Sequence, residues 1–502
     1  MKKFFSLLLV FVMLASFACV NAESTDGPVT IELFYSPWGS TPYDGVDPYE
    51  QYLEEKYGCD FVLSPATDFE TQLYSRAVGD DMPDLILFGN MSQLMTAYNQ
   101  GLVLEDWSEY LKDMPQTSAN MSDLCKSYLT NEGRIIACPS FAGTQKWTFM
   151  IRQDWLDALG LAMPTNDEEF LNVMRAFTFN DPDGNGIDDT YGFTSAGGNT
   201  GIGELSNLML LYTAPSFYIT EDGEVSHNIL DGGFMKFLNL AKTMVDEKII
   251  DPDWYTQGWD DRKPNLYAGK FGVCWYPPVA LTNENVSVLD EETVLNMWSV
   301  MPLYTGALIP ETFCGALRTV SKAAAEDPAK MEIITSYLED CAYPNEDFFV
   351  IREGYKIDGY DVFVEMADNV YFLGMSSPDN PRARDYGSIM YGWGQMIQSA
   401  ATEVSYFFGN TAEPSKLNLA QAQMIAEYDT YATYGAEYYL LNPDATLKAD
   451  SDAMISEFEI DYILGSKTEA DFEAFQQEWL ELYGNELMAD AVATYQAYGL
   501  IG

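Results

Sequence analysis

Between residues 29 and 100 the apolar positions switch between short continuous runs and helical spacing, and the switches fall at turn and capping residues. Val29 to Tyr35 is a run of β-branched, aromatic and leucine side chains closed by Ser36-Pro37, which predicts a strand. Asp47-Pro48 sets a capping side chain before a proline at the first helical position, so a helix starts there and ends by Gly58. Asp60 to Leu63 reads as a second strand, and Asp68 caps a helix that runs to Val78 and stops at Gly79. Pro83-Asp84 opens a third strand, Leu85 to Phe88. Gly89-Asn90 then leads into a helix from Ser92 to Gln100. This β-α-β-α-β order predicts a mostly parallel sheet with helices on both faces, whose ligands bind at the carboxyl ends of the strands. Trp38 and Asn90 lie just past two of those ends.

Further along, Trp147 to Arg152 reads as another strand running into a helix from Asp154 to Gly160, and Thr165 and Glu168 have the spacing of a capping box. The last third turns helical: Phe472, Phe475, Trp479 and Leu482 recur at intervals of three and four and form one apolar stripe directed at a core. A chain of 502 residues is long enough for two domains. It shows no repeat, low-complexity tract or Pro/Ser tether, so crossing strands are expected to weave the two lobes together.

The leader changes the picture. Lys2 and Lys3 precede an apolar run, Phe4 to Phe17, too short to span a bilayer comfortably, and Val20-Asn21-Ala22 offers a cleavage site. Residues 1–22 therefore read as a signal peptide, and the mature chain as extracellular. Ala18-Cys19 loosely resembles a lipobox, with Ser16 where leucine is usual, so a lipid anchor through Cys19 competes with simple cleavage. The formal net charge of −51 becomes two units more negative once the leader's lysines are gone. That field excludes nucleic acid, anionic lipid and anionic polymers as partners. Six cysteines lie beyond the leader, none in the close pairs of a metal knuckle, and their pairing stays open. The single histidine, His227, sits in a polar stretch and reads as an exposed turn residue, which leaves histidine-dependent catalysis and histidine-ligated zinc without support.

The sharpest local motif is Asp181-Pro182-Asp183-Gly184-Asn185-Gly186-Ile187-Asp188-Asp189. Oxygen-bearing side chains at every second position let one loop wrap a hard cation, and Gly186 permits the sharp turn. Asp181, Asp183, Asn185, the Ile187 carbonyl and Asp189 are the expected calcium ligands, and the ion's role is to brace the loop. The pattern matches an EF-hand at its front only, because Gly192, followed by Phe193, stands where the twelfth-position glutamate belongs.

Aromatic residues make up 14% of the chain, and sugars rest their C–H faces on flat rings while carboxylates and amides meet their hydroxyls. Tryptophans beside turn residues are the better candidates: Trp38, Trp275 with Tyr276 before Pro277-Pro278, and Trp393 between two glycines, together with Trp147 at a strand start. Each one alone is more often core. With Asn90 they make up the expected ligand-binding set. Only 26 basic residues stand against 77 acidic ones, so a neutral oligosaccharide is expected over a uronic-acid polymer, which needs arginines.

Taken in order, several segments resemble extracellular solute-binding proteins of the carbohydrate-importer class, family 1 type, especially the large Gram-positive members. Pro83-Asp84-Leu85-Ile86 followed by Gly101-Leu102-Val103-Leu104-Glu105-Asp106 is similar to one family passage, and Ile151-Arg152-Gln153-Asp154-Trp155-Leu156-Asp157-Ala158-Leu159-Gly160-Leu161 to another. The Asp/Gly loop follows at the family's spacing, Ala268-Gly269-Lys270-Phe271-Gly272 matches a recurrent turn, and Ile463-Leu464-Gly465 through Trp479, Gly484 and Tyr495 matches the terminal helices. Close relatives have Asp-Glu where this chain has Asp189-Thr190, so the Thr190 hydroxyl or water is expected to replace one ligand. Arg352-Glu353-Gly354-Tyr355 matches a family turn only loosely.

The resemblance implies two α/β lobes, each a mostly parallel sheet flanked by helices, closing over ligand, with a helical C-terminal part. One lobe is expected at 29–143 plus 302–351 and the other at 144–301 plus 352–502. It implies a monomer that captures an oligosaccharide and hands it to the membrane subunits of an ABC importer, without catalysis. Alternatives are a secreted glycoside hydrolase, which needs two carboxylates about 5–10 Å apart, and a binding protein for peptides or other solutes or for a sensor kinase.

Overall fold

The computed structural model describes residues 27–36, 48–139, 147–302, 317–342 and 443–502, with shorter pieces at 308–310, 314 and within 363–372 and 416–441. The first strands and helices fall where capping chemistry puts them. β1 (Val29–Tyr35), α1 (Pro48–Tyr57), β2 (Cys59–Pro65), α2 (Phe69–Val78), β3 (Leu85–Phe88) and α3 (Met91–Asn99) follow one another. Asp68 and Asn90 accept the backbone N–H groups of Thr71 and Gln93, so each closes the open start of its helix.

β1 is central to this sheet, parallel to β2 on one side and to β3 on the other. The strand Leu317–Val320 runs antiparallel to β3 and to the short strand Cys138–Pro139, so four strands share a direction and this one opposes them. All four residues of β3 are buried, as expected of a strand covered on both faces. Trp107 is buried in the same core and donates from Nε1 to the Thr319 hydroxyl (3.0 Å), which satisfies its one polar atom.

A second core forms around β4 (Thr148–Arg152), β5 (Tyr191–Phe193), β6 (Phe271–Tyr276) and β7 (Trp298–Val300), in the order β7-β4-β6-β5. Here β4 opposes the other three: it is antiparallel to β6 and β7, while β5 and β6 are parallel. α4 (Asp167–Phe179) packs Phe170, Met174 and Phe177 into this core, and the helices Gly233–Asp246, Ala445–Ile463 and Phe472–Trp479 cover it.

The chain crosses between the two sheets at corresponding edges. It leaves the first sheet at Pro139, level with Phe88 across Leu317, and enters the second at Thr148, beside Tyr276. It leaves the second after Val300 and returns to the first at Leu317. All these points lie at the carboxyl ends of the majority strands, the edge where α/β sheets take ligand.

Three expectations need correction. Asn166, not Thr165, caps α4: its side chain accepts the Glu169 N–H at 3.0 Å, and Glu169 reaches back to the Thr165 N–H at 2.9 Å. Asparagine caps better than threonine, so the cap sits one residue later, and Glu169 serves the N–H of the residue before it. The apolar stripe holds for Phe472, Phe475 and Trp479, but Leu482 is exposed. The helix widens to a π turn over Leu480–Gly484, and the extra residue per turn rotates the next position off the buried face. Finally, His227 is buried between the rings of Phe217 and Trp479, 4.5 and 4.7 Å away by centroid. Burial drives its pKa down to about 3.

Candidate functional site

At the carboxyl edge of the second sheet β6 ends in Tyr276, whose neighbour across the sheet, Thr148, follows Trp147. Trp147 lies 5.6 Å from Tyr276 and 5.9 Å from Trp259, and Trp259 stacks on Tyr276 at 5.5 Å with the planes 8° apart. Trp259 opens α5 (Trp259–Tyr267), directly after Gly258. Trp147 and Trp259 keep part of their surface in solvent, while Tyr276 is buried and its hydroxyl meets that of Tyr267 at 3.1 Å. Burial also pushes the Tyr276 hydroxyl up to about 12, so it stays protonated.

Beneath these rings lies Arg262, fully buried, with its guanidinium carbon 4.4 Å from the Trp259 ring centre. Its ion-pair partner is Glu204, at 3.2 Å, and none of its three nitrogens makes a hydrogen bond among the described residues. The Glu204 ion pair and the cation–π contact together hold the buried charge, and the guanidinium backs the Trp259 ring. The result is a partly exposed aromatic platform on a rigid base.

The residues expected to bind ligand divide. Trp147 and Tyr276 come together. Trp275 does not join them: strand alternation turns it to the opposite face, where it packs edge-on to Phe149 at 4.8 Å in the second core. Asn90 is exposed at the end of β3, and its side chain serves as the cap of α3. Trp38 and Trp393 lie outside the described residues. Trp259 was missed, although Gly258-Trp259 has the same glycine–tryptophan adjacency that singled out the others.

The Asp/Gly loop follows α4. Asp181 takes φ +47 and its carboxylate accepts the N–H groups of Asn185 (3.1 Å) and Gly186 (3.0 Å). The Asn185 amide donates to Asp183 at 2.8 Å and to Asp189 at 3.2 Å, while its oxygen accepts the Ile187 N–H at 2.7 Å. Lys270 adds an ammonium, 2.8 Å from Asp189 and 3.4 Å from Asp183. The Lys270 hydrogen bond holds the Asp189 carboxyl below the usual carboxylate range, and the Asn185 amide helps. Thr190 takes no part, since its hydroxyl donates to the Phe177 carbonyl at 2.9 Å and is buried. The donor set is oxygen-rich and suits a hard cation, but among the described residues no three carboxylates converge as a ready cage. An ammonium and an amide stand between them.

A family model described as bacterial extracellular solute-binding protein matches residues 44–314. The chain belongs to this family. As a whole this solute-binding protein is similar to lipoprotein LipO of Bacillus subtilis, 23% identical over 99% of this chain and 98% of LipO. Among solved structures it resembles the Streptococcus pneumoniae ABC-transporter substrate-binding protein FusA in complex with kestose, with a TM-score of 0.67, 17% identity, and coverage of 94% of this chain and 99% of FusA. A human-milk-oligosaccharide (HMO) binding protein from Bifidobacterium longum infantis gives the same TM-score, identity and coverage. These likenesses establish the two-lobed solute-binding fold with its helical C-terminal part. A further FusA structure is described as an EF-hand mutant. The family is extracellular by description, in keeping with the leader read at residues 1–22, and FusA and the Bifidobacterium protein are described as binding proteins. No helix among the described residues is long and apolar enough to cross a membrane.

Proposed function

We propose that this protein captures an oligosaccharide outside the cell and delivers it to the membrane subunits of an ABC importer, as a monomer and without catalysis. The observation that carries this reading is the platform of Trp147, Trp259 and Tyr276 at the carboxyl edge of the second sheet. The partly exposed rings of Trp147 and Trp259, backed by the buried Tyr276, suit the C–H face of a pyranose. The lobes are assigned to 29–143 plus 302–351 and 144–301 plus 352–502, so ligand sits between the platform and residues past the strands of the first sheet, among them Asn90 and Trp38. Relatives named for sugars support the class: FusA for fructooligosaccharide and, over 43% of this chain, a Bacillus subtilis protein named for polygalacturonan and rhamnogalacturonan. The acidic excess favours a neutral glycan. Attachment to the cell surface is through lipid on Cys19, as the name of LipO suggests.

Calcium is proposed at Asp181, Asp183, Asn185, the Ile187 carbonyl and Asp189, where it would supply positive charge that braces the loop between α4 and β5.

The test is thermal unfolding of the mature protein against neutral glycans, uronate oligosaccharides and peptides. Ligand at about 100 times its dissociation constant adds roughly 2.7 kcal/mol of stability, a readily measured shift. A response to neutral glycans supports the reading. A response to uronates alone overturns neutrality, and a response to peptides alone overturns sugar capture.

A further inference from the structure

We propose that Lys270 is an internal competitor for the cation of the Asp/Gly loop: its ammonium holds the loop together without calcium and lowers the loop's calcium affinity. The proposal rests on the calcium reading above and adds to it a residue outside the ligand set.

The ammonium lies 2.8 Å from Asp189 Oδ2 and 3.4 Å from Asp183 Oδ2, between two of the carboxylates assigned to the ion. It is delivered from another part of the chain, and its backbone is pinned. The Lys270 N–H donates to the Asn265 carbonyl at 3.0 Å, and its own carbonyl accepts the Tyr191 N–H at 3.1 Å. The preceding residue, Gly269, has φ +74, and a Cβ there would collide with Met297 and crowd Arg152. Hence only the flexible lysine stem can withdraw.

Asn185 tells the same story. Its NH₂ group faces Asp183 and Asp189, at 2.8 and 3.2 Å, where a cation's ligand must present oxygen. For calcium to enter, the ammonium swings out and the amide turns over, giving up the 2.7 Å bond from the Ile187 N–H to Asn185 Oδ1. A positive charge left within a few ångströms would repel the incoming ion, and moving it outward sacrifices two ion pairs. In return, the clustered carboxylates do not drive the loop open when calcium is scarce.

The experiment titrates calcium into the metal-stripped mature protein by calorimetry, with thermal melts in chelator and in calcium. Lys270→Met is expected to bind calcium on the order of tenfold more tightly than wild type. Lys270→Arg, which keeps the charge, should bind within about twofold of wild type. Asp183→Ala should abolish binding in either background. In chelator Lys270→Met should melt below wild type, and calcium should restore it. Should Lys270→Met fail to fold, Lys270→Gln serves with the same readouts. Wild-type-like or weaker affinity in the neutral variants, with Asp183→Ala still abolishing binding, overturns the competitor role and leaves the calcium reading intact. Absence of calcium binding in all folded variants overturns both.

Discussion

Arg152 Nη1 donates to the Gly269 carbonyl at 2.5 Å, joining the end of β4 to the turn that carries Lys270. The same guanidinium grips both carboxylate oxygens of Asp154, at 2.7 and 2.6 Å, and lies 4.1 Å from the Trp155 ring centre. One buried side chain thus ties strand, following helix and turn together, which gives the Arg-x-Asp-Trp segment a structural reason. The strand can end at Arg152 because the Gln153 N–H already donates to the Met297 carbonyl, 3.0 Å away.

Lysine cannot reproduce that planar fork. Arg152→Lys should therefore lower stability by about 2–4 kcal/mol, since it leaves Asp154 and the Gly269 carbonyl short of donors in a largely dry site. Urea unfolding measures it. A midpoint equal to wild type would mean that the clamp contributes nothing.

His227 offers a clean test because it is the single histidine in the chain. Its folded pKa, near 3, lies below the usual value of 6.5, with burial the larger cause and the Lys448 charge the smaller. Below pH 6.5 the unfolded chain takes up a proton that the native state refuses. Stability is complete above 6.5 and falls as the pH approaches 3, at up to roughly 1.4 kcal/mol per unit. The imidazole resonances of the native protein should not move between pH 7 and 5. Titration with a midpoint near 6.5 would place the ring in water.

Glu459 works in the opposite sense. It is buried in the helix Ala445–Ile463, and desolvation alone raises its pKa to about 8. The native state then holds a proton that the unfolded chain has released. This group's contribution is intact below about pH 4.5 and is lost as the pH climbs toward 8. Glu459→Gln should raise neutral-pH stability by about 1–2 kcal/mol, smaller than the full linkage because the amide is also polar. The wild-type decline between pH 5 and 8 should flatten in the variant. Parallel curves for the two proteins would show that Glu459 is ionised and solvated.

What could be read from sequence was local. β1, α2 and β3 have the predicted boundaries because Pro37, Asp68, Gly79 and Pro83-Asp84 act within a turn of their own position. His227 was misread because the surfaces that bury it, Phe217 and Trp479, arrive from another strand and from a helix some 250 residues on. Leu482 depended on a π turn that no three-four spacing announces. The site was half legible. Period-two alternation places Trp275 and Tyr276 on opposite faces, but it would set Trp147 with Phe149 and Trp275; Trp147 lies just before β4, and its contact with Tyr276 was not visible along the chain. Lys270 belonged to a recognised turn, but its meeting with Asp183 and Asp189 is set by the β5–β6 pairing and was not visible along the chain.

The pairing of β4 with β6 sets Tyr276 opposite Thr148 and so places the platform, which yields the sharpest binding test. Trp259 is stacked on Tyr276 and lies 4.4 Å from the Arg262 guanidinium carbon, so its ring has little freedom left to lose when a sugar docks. Preorganised aromatic anchors are the residues whose truncation costs most, typically about 2 kcal/mol or more, which is roughly a factor of 30 in affinity. Trp259→Ala and Trp147→Ala should each weaken binding of the best glycan by that amount, with circular dichroism unchanged. Trp275→Ala should behave differently: as a core truncation it should cost about 3–5 kcal/mol of stability and alter affinity only through unfolding. Calorimetry with the identified glycan, paired with urea melts, separates the two effects. Full affinity in both platform variants would move the binding face away from this edge of the second sheet.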